Sequence, residues 1–122
     1  MANRSAPHSA LVRECLGFLQ AVGIFAWKNN TGALPTKSGG FIKFGAVGSA
    51  DIFALHAGRF IAIEVKTGKG KPTSAQLVWG QSVKECGGDW FCVRSVDELA
   101  AFIRQHLAGP AGVTHKENSS EA

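Results

Sequence analysis

Two β-rich segments separated by a tight turn constrain the fold of this chain more than any other feature. Residues 51–55 read DIFAL and residues 59–66 read RFIAIEVK, and both are rich in strand-forming side chains. The intervening HAGR predicts a hairpin with Ala57 and Gly58 at its centre, although Ala-Gly is a weaker turn signal than Asn-Gly. We therefore expect an antiparallel pair of strands.

The register of this hairpin decides where its charged side chains lie. A two-residue turn puts Asp51 directly opposite Glu64, whereas a loop one residue longer would turn Asp51 away. Because strand side chains alternate between faces, Glu64 and Lys66 share one face. Opposed carboxylates repel unless a cation lies between them, and Mg²⁺ prefers oxygen ligands. The pattern predicts a divalent-metal site.

A second interpretation of the same residues needs no metal. Glu64 and Lys66 can form an exposed cross-strand charge pair, and Asp51 can be a turn residue after the glycine-rich GAVGSA. The spacing alone does not decide between these two interpretations.

The remaining pattern predicts one small α/β domain with a central mixed β-sheet flanked by helices. The domain is expected to span residues 8–107, after a flexible arm at residues 1–7 and before a disordered tail at residues 108–122. The predicted helices are 9–22, 74–85 and 96–106, the further strands are 24–27, 41–44 and 90–93, and 28–40 is a long loop.

Composition adds weaker constraints. The chain of 122 residues has 13 Lys+Arg against 9 Asp+Glu, which suits a polyanionic partner without establishing one. Its three cysteines form no CxxC pair and are expected to be reduced core thiols of a cytoplasmic protein. The four histidines show no ligand spacing and are expected at the surface. No signal-peptide core is visible, and no segment approaches the roughly 20 apolar residues that cross a bilayer.

A family resemblance sharpens the prediction. GSADI, then EVK, with twelve residues between Asp51 and Glu64, then PTSAQ, resembles the PD-(D/E)xK nuclease superfamily. More narrowly, residues 11–103 resemble the VRR-NUC family in its stand-alone bacterial and phage form, which implies a restriction-endonuclease-like fold. Two departures are visible: Ala50 stands where the superfamily name has Pro, and the letters VRR do not occur.

The resemblance implies a role for each matching residue. Asp51, Glu64 and the backbone carbonyl of Val65 would bind Mg²⁺ or Mn²⁺, while Lys66 and Gln76 would be catalytic together with the two acids. Glu14 would contact the metal directly or through water. Gln76 could equally form a capping box with residue 73, Glu14 could be a solvated helix residue, and the number of ions stays open.

Phosphate contacts are expected from polar and basic residues of two loops. A solvated loop without a ligand is the alternative for each. These candidate DNA-binding residues are Lys28, Asn29, Asn30, Thr31, Lys37, Lys43, Lys69 and Lys71.

The resulting hypothesis is a metal-dependent DNA endonuclease that hydrolyses phosphodiester bonds. The stand-alone proteins that the chain resembles are associated with cutting four-way Holliday junctions as homodimers, so a branched DNA partner and a homodimer are expected. Aromatic residues around Trp27, Phe41 and Phe44 would form the interface or belong to the core. The alternatives are a flap, nicking or general endonuclease, a restriction- or toxin-type nuclease, and a non-catalytic DNA-binding module.

Overall fold

A four-stranded mixed sheet carries helices on its faces, with a two-stranded sheet beside it. The computed structural model describes residues 6–30 and 32–106, and of Lys43 and Phe44 it describes the backbone. Its elements are α1 Ala6–Ala21, β1 Phe25–Lys28, β2 Gly32–Pro35, β3 Phe41–Phe44, β4 Ile52–His56, β5 Arg59–Val65, α2 Ser74–Glu85, β6 Asp89–Val93 and α3 Val96–His106. The predicted α/β class with a mixed sheet is confirmed.

The larger sheet has the strand order β1-β4-β5-β6. β1 pairs antiparallel with β4, β4 antiparallel with β5, and β5 parallel with β6, which the chain reaches through α2. The β4–β5 hairpin has the predicted register, from His56 opposite Arg59 to Ile52 opposite Ile63. Ala57 and Gly58 have φ of 51° and 81°, and positive φ at both central residues is what a type I′ turn requires.

One face of this sheet forms the hydrophobic core. The inward side chains of β4, β5 and β6 pack against one face of α1 and against α3, and each fully buried aliphatic side chain contributes roughly 1.5–3 kcal/mol. Across the sheet and the two helices, the largest fully buried side chains are those of Cys15, Leu19, Ile52, Ile61, Ile63, Val65, Val93 and Leu99.

The other face of the sheet carries α2. Gly80 lets this helix approach β6, because a Cβ there would lie 2.6 Å from the Trp90 ring. Trp79 of the same helix stacks on Phe53 of β4, with ring centroids 5.7 Å apart. The helix begins at Ser74 as predicted, and Thr73 caps it in a complete capping box with Gln76.

Helix α1 begins earlier than predicted. It starts at Ala6 instead of residue 9, so part of the predicted arm is helical, and it takes in Pro7 and His8. Proline is well suited to a first helical turn, where its missing N–H would have had no partner. Gly23 ends the helix as expected, with φ of 86° and a bond from the N–H of Ile24 to the carbonyl of Leu19.

The predicted loop at residues 28–40 is partly a strand. β2 pairs with β3 from Gly32 opposite Phe44 to Pro35 opposite Phe41. The sequence GALP of β2 has neither alternation nor β-branched residues, so it gave no strand signal. Residues 1–5 of the predicted arm and the predicted tail at 108–122 lie outside the described residues.

No helix in the described ranges has both the length and the apolar character needed to cross a membrane. Cys15 is buried as expected for a core thiol, whereas Cys86 is exposed and Cys92 is half-buried. The expectation of three core cysteines is therefore wrong for Cys86, which follows the last residue of α2.

Candidate metal centre

The centre lies where the β4–β5 ladder ends. Beyond the Ile52–Ile63 pair, the N–H of Asp51 donates to the carbonyl of Ile63 at 3.0 Å. The carboxylate of Asp51 turns toward β5, where Oδ2 accepts a 2.7 Å hydrogen bond from the N–H of Val65. Asp51 thus continues the pairing with its side chain, which fixes its carboxylate beside the main chain of Val65.

Glu64 is the buried acid of this centre. It is 2% exposed, and within the described residues its Oε1 has no hydrogen-bond partner. Burial, and after it the negative charge of Asp51, raise the pKa of Glu64 from 4.5 to about 7, against the opposing effect of Lys66. A buried carboxyl oxygen without a partner beside a second carboxylate is a costly arrangement that a bound cation would relieve.

Lys66 lies on the same side of β5 as Glu64, as the alternation of strand side chains predicts. Its Nζ is 3.4 Å from Glu64 Oε2, and the two side chains are only 17% and 3% exposed. The alternative of an exposed charge pair is therefore wrong. Both charged groups are held away from bulk water at a cost in solvation, which favours a chemical role over a solvated pair.

The segment that precedes Asp51 is braced by Asn29. The amide nitrogen of Asn29 donates to Ser49 Oγ and to the carbonyl of Ala50, both at 2.8 Å. Its backbone N–H donates to the carbonyl of Asp51 at 2.8 Å. The predicted DNA-binding Asn29 thus has its side-chain N–H groups directed into the protein, where it positions Asp51.

Gly48 allows the same segment to pack tightly. Its φ is 82°, and a Cβ at this position would lie 2.5 Å from the backbone oxygen of Ala75 in α2. A larger residue would strain the backbone and push the segment away from the helix. Gly48 therefore lets the segment that leads into Asp51 pack against α2.

His8 is the residue that sequence reasoning missed. Its Nε2 lies 3.1 Å from the carbonyl oxygen of Val65 and 3.5 Å from Asp51 Oδ2. Its side chain is 36% exposed, so His8 lies at the surface as expected, but it also faces the candidate metal oxygens. The overlooked signal is Pro7, because proline favours the first turn of a helix and would have placed His8 in that turn.

The structure does not bring every predicted residue to the pair of acids. Glu14 is exposed on α1, on a different side of the helix from His8. Gln76 is half-buried, and its Oε1 accepts from the N–H of Thr73 at 2.8 Å in the capping box. The capping role of Gln76 is confirmed, and the catalytic role stays a prediction, as does the metal role of Glu14.

Exposed basic and amide groups accompany the centre. Lys28, Asn30, Lys37, Lys69 and Lys71 are exposed, as phosphate contacts require. Thr31 and the side chain of Lys43 lie outside the part of the chain that the structure describes.

Arg94, which the sequence did not single out, holds the loop that carries Lys69 and Lys71. Its guanidinium donates to the carbonyls of Gly68 at 3.1 Å and Gly70 at 2.5 Å. This loop directly follows Lys66 and is fixed next to the centre by these two bonds.

A thiol is a poor nucleophile here. Burial, together with the charges of Glu14 and Asp51, raises the pKa of Cys15 to about 11. Burial also raises the pKa of Cys92, which lies opposite Glu64 on β6. Both thiols stay protonated at neutral pH, so the acids and Lys66 remain the chemical groups of this centre.

The donor set fits a divalent cation. Asp51, Glu64 Oε1 and the carbonyl of Val65 supply the oxygen ligands that Mg²⁺ and Mn²⁺ prefer. Within residues 6–30 and 32–106, no three His, Cys, Asp or Glu side chains converge closely enough to hold a metal ion by themselves. Main-chain oxygen and water or phosphate ligands would therefore complete the coordination.

Comparison with models of known protein families gives no match, and no curated protein matches the chain. The assignment of chemical roles at this centre therefore depends on the geometry of its residues.

Proposed function

We propose that this chain is a Mg²⁺- or Mn²⁺-dependent DNA endonuclease that hydrolyses phosphodiester bonds, with a four-way junction as its substrate. The observation that carries the proposal is the buried Glu64, with an unpartnered Oε1, next to Asp51 and Lys66. This combination of two acids and an amine also carries the resemblance to the PD-(D/E)xK nucleases.

Each group of the centre has a task in phosphodiester hydrolysis. Asp51, Glu64 and the Val65 carbonyl would hold the cation, which when bound lowers the pKa of a water ligand and polarises the phosphate. The ammonium of Lys66, 3.4 Å from Glu64 Oε2, is positioned to orient the attacking water or to stabilise negative charge in the transition state.

Lys69 and Lys71 support the choice of a nucleic acid as substrate. Both are exposed on the loop that follows Lys66, and Arg94 fixes the backbone of this loop. Lysines at fixed positions bind phosphates without reading bases, which suits recognition of a DNA shape. Lys28, at the end of β1 beside the start of β4, extends the basic surface.

Exposed apolar side chains support the homodimer. Trp27 is 39% and Phe41 69% exposed, so neither is an ordinary core residue. Two chains related by a two-fold axis would present two centres to the two strands that a junction resolvase cuts.

A cleavage assay on a labelled four-way junction tests the proposal. Wild-type protein with Mg²⁺ or Mn²⁺ is expected to make paired, symmetric incisions. Asp51→Asn should lower the rate more than about 100-fold, because changes to mere outer-shell partners of metals already cost 10–100-fold. The variant should still bind the junction, since phosphate contacts dominate affinity.

Asp97→Asn is the matched control, because it removes the same charge from an exposed site on α3. Normal cleavage by Asp51→Asn would refute the proposed centre. Incision of flaps alone would identify the alternative nuclease activity. Binding by the wild-type protein without any cleavage would identify a non-catalytic module.

A further inference from the structure

We propose that His8 is a ligand of the same cation, and that its nitrogen gives the centre a preference for Mn²⁺ over Mg²⁺. The inference depends on the proposed function in one respect: a divalent cation must bind at Asp51. It makes no assumption about the substrate.

The position of the imidazole carries the inference. Nε2 of His8 lies 3.1 Å from the Val65 carbonyl oxygen and 3.5 Å from Asp51 Oδ2. Neighbouring ligands of an octahedral ion with bonds of about 2.1 Å are separated by roughly 3 Å. His8 therefore already has the spacing of a ligand toward two of the oxygens assigned to the cation.

The helix holds this imidazole in place. His8, Val12, Cys15 and Leu19 follow one another at intervals of four, three and four residues, which places them on one face of α1. Val12, Cys15 and Leu19 are buried against the sheet and anchor that face. The first turn of the helix is thus fixed over the end of β5, and a cation would find His8 in position.

Glu64 is an independent sign that a ligand belongs here. Its side chain is 97% buried, and within the described residues its Oε1 has no hydrogen-bond partner. As placed, Glu64, Asp51 and His8 do not yet converge on one point. Coordination of one cation by all three side chains would therefore require at least one of them to move on metal binding.

The nature of the ligand predicts metal selectivity. Mg²⁺ takes oxygen ligands and strictly octahedral geometry, whereas an imidazole nitrogen suits transition metals. In the absence of a cation, Nε2–H donates to the Val65 carbonyl; in its presence, the ring carries its proton on Nδ1 and offers the Nε2 lone pair. Because Mg²⁺ is the more strictly oxygen-bound of the two ions, an imidazole as the third protein side chain should favour Mn²⁺ over Mg²⁺.

Metal binding by the full chain tests the inference without any nuclease assay. In Mn²⁺ titrations followed by electron paramagnetic resonance, His8→Ala should bind Mn²⁺ at least about 10-fold more weakly than wild type. Its Mg²⁺ affinity, measured by competition, should change less than about 3-fold, because Mg²⁺ is held mainly by oxygen ligands. Pulsed measurements on the wild-type complex should detect a ¹⁴N coupling that His8→Ala lacks.

His56→Ala is the matched control, because His56 lies at the other end of β4, about 16 Å from Asp51 along a strand that rises 3.3 Å per residue. Retention of the ¹⁴N coupling in His8→Ala, or its absence in wild type that binds Mn²⁺ through Asp51, would overturn the role of His8 and leave the proposed function intact. Failure of wild type to bind either ion, with or without junction DNA, would overturn both.

Discussion

At the scale of single residues, Glu64 is held where its charge is disfavoured. Burial and the neighbouring Asp51 raise its pKa to about 7, and only Lys66 opposes the shift. The folded protein therefore binds a proton at Glu64 more tightly than the unfolded chain, whose glutamate has an ordinary pKa. Ionisation of Glu64 then weakens the fold, unless a cation takes the place of the proton.

The stability of the metal-free protein should consequently fall with rising pH. The contribution of Glu64 is complete below about pH 4.5 and is lost as the pH rises through about 7. A shift from 4.5 to about 7 corresponds to a loss on the order of 3 kcal/mol in the free energy of unfolding. Urea denaturation with a chelator at pH 5 and pH 8 measures this loss.

Glu64→Gln should show a smaller decline than wild type between the two pH values, because the amide does not ionise. Glu14→Gln, which changes an exposed carboxyl on α1, should decline as wild type does. Equal declines in all three proteins would contradict the assigned environment of Glu64. Added Mn²⁺ should stabilise wild type at pH 8, where the carboxylate is free to bind it.

At the scale of elements, the centre depends on how the end of β1 holds the start of β4. Asn29 bridges to Ser49, Ala50 and Asp51 through three hydrogen bonds of 2.8 Å. Two of them come from its side chain, so Asn29→Ala removes two donors and leaves partly buried acceptors unpaired. The carboxylate of Asp51 would then lose the support of the segment that precedes it.

We expect Asn29→Ala to lower the free energy of unfolding by about 1–3 kcal/mol. It should also weaken Mn²⁺ binding, because Asp51 is no longer fixed beside Val65. Thermal unfolding and metal titration measure the two effects. Asn30→Ala changes the exposed neighbour and should leave both near wild type; an equal loss in the two variants would rule out a specific bracing role for Asn29.

Local signals in the sequence were sufficient for several elements. The Ala57-Gly58 turn set the β4–β5 register, and the proximity of Asp51, Glu64 and Lys66 then followed from the alternation of strand side chains. The residues after Pro72 likewise predicted the start of α2. The side chain of Ser95 caps α3 by accepting from the N–H of Glu98. These features depend on contacts between residues close in the chain.

Features that depend on distant contacts could not be predicted in this way. His8 meets Val65 across 57 residues, and Asn29 meets Ala50 across 21. The burial of Glu64 also results from tertiary packing, because β5 is an inner strand between β4 and β6, whereas its own sequence showed only alternation. An exposed charge pair and a buried centre have the same local pattern.

At the scale of the whole molecule, the β2–β3 hairpin leaves apolar side chains uncovered. Leu34, Phe41 and Ile42 are 58%, 69% and 61% exposed, and Phe25 of the edge strand β1 is 69% exposed. A two-stranded sheet is only marginally stable in water by itself. A second copy of the chain that covers this hairpin would stabilise it and would form the proposed homodimer.

Phe41→Gln should therefore weaken self-association. Analytical ultracentrifugation of wild type is expected to give twice the chain mass of 12.9 kDa, and the variant should shift toward the monomer at micromolar concentration. Leu77→Gln is the matched control, because Leu77 is also an exposed apolar side chain, at 52%, but belongs to α2 and not to the hairpin. A wild-type monomer, or a dimer that Phe41→Gln leaves unchanged, would contradict this interface.

The parallel strand β6 has a consequence for the newly made chain. The N–H of Lys66 is held by the carbonyl of Val93, and the loop after it is held by Arg94. Both anchors come from the last third of the chain, after α2. A ribosome-bound fragment that ends before residue 89 would leave Glu64 open to water and the lysine loop untethered. The proposed cleavage activity would thus be withheld during synthesis until β6 has emerged and joined the sheet.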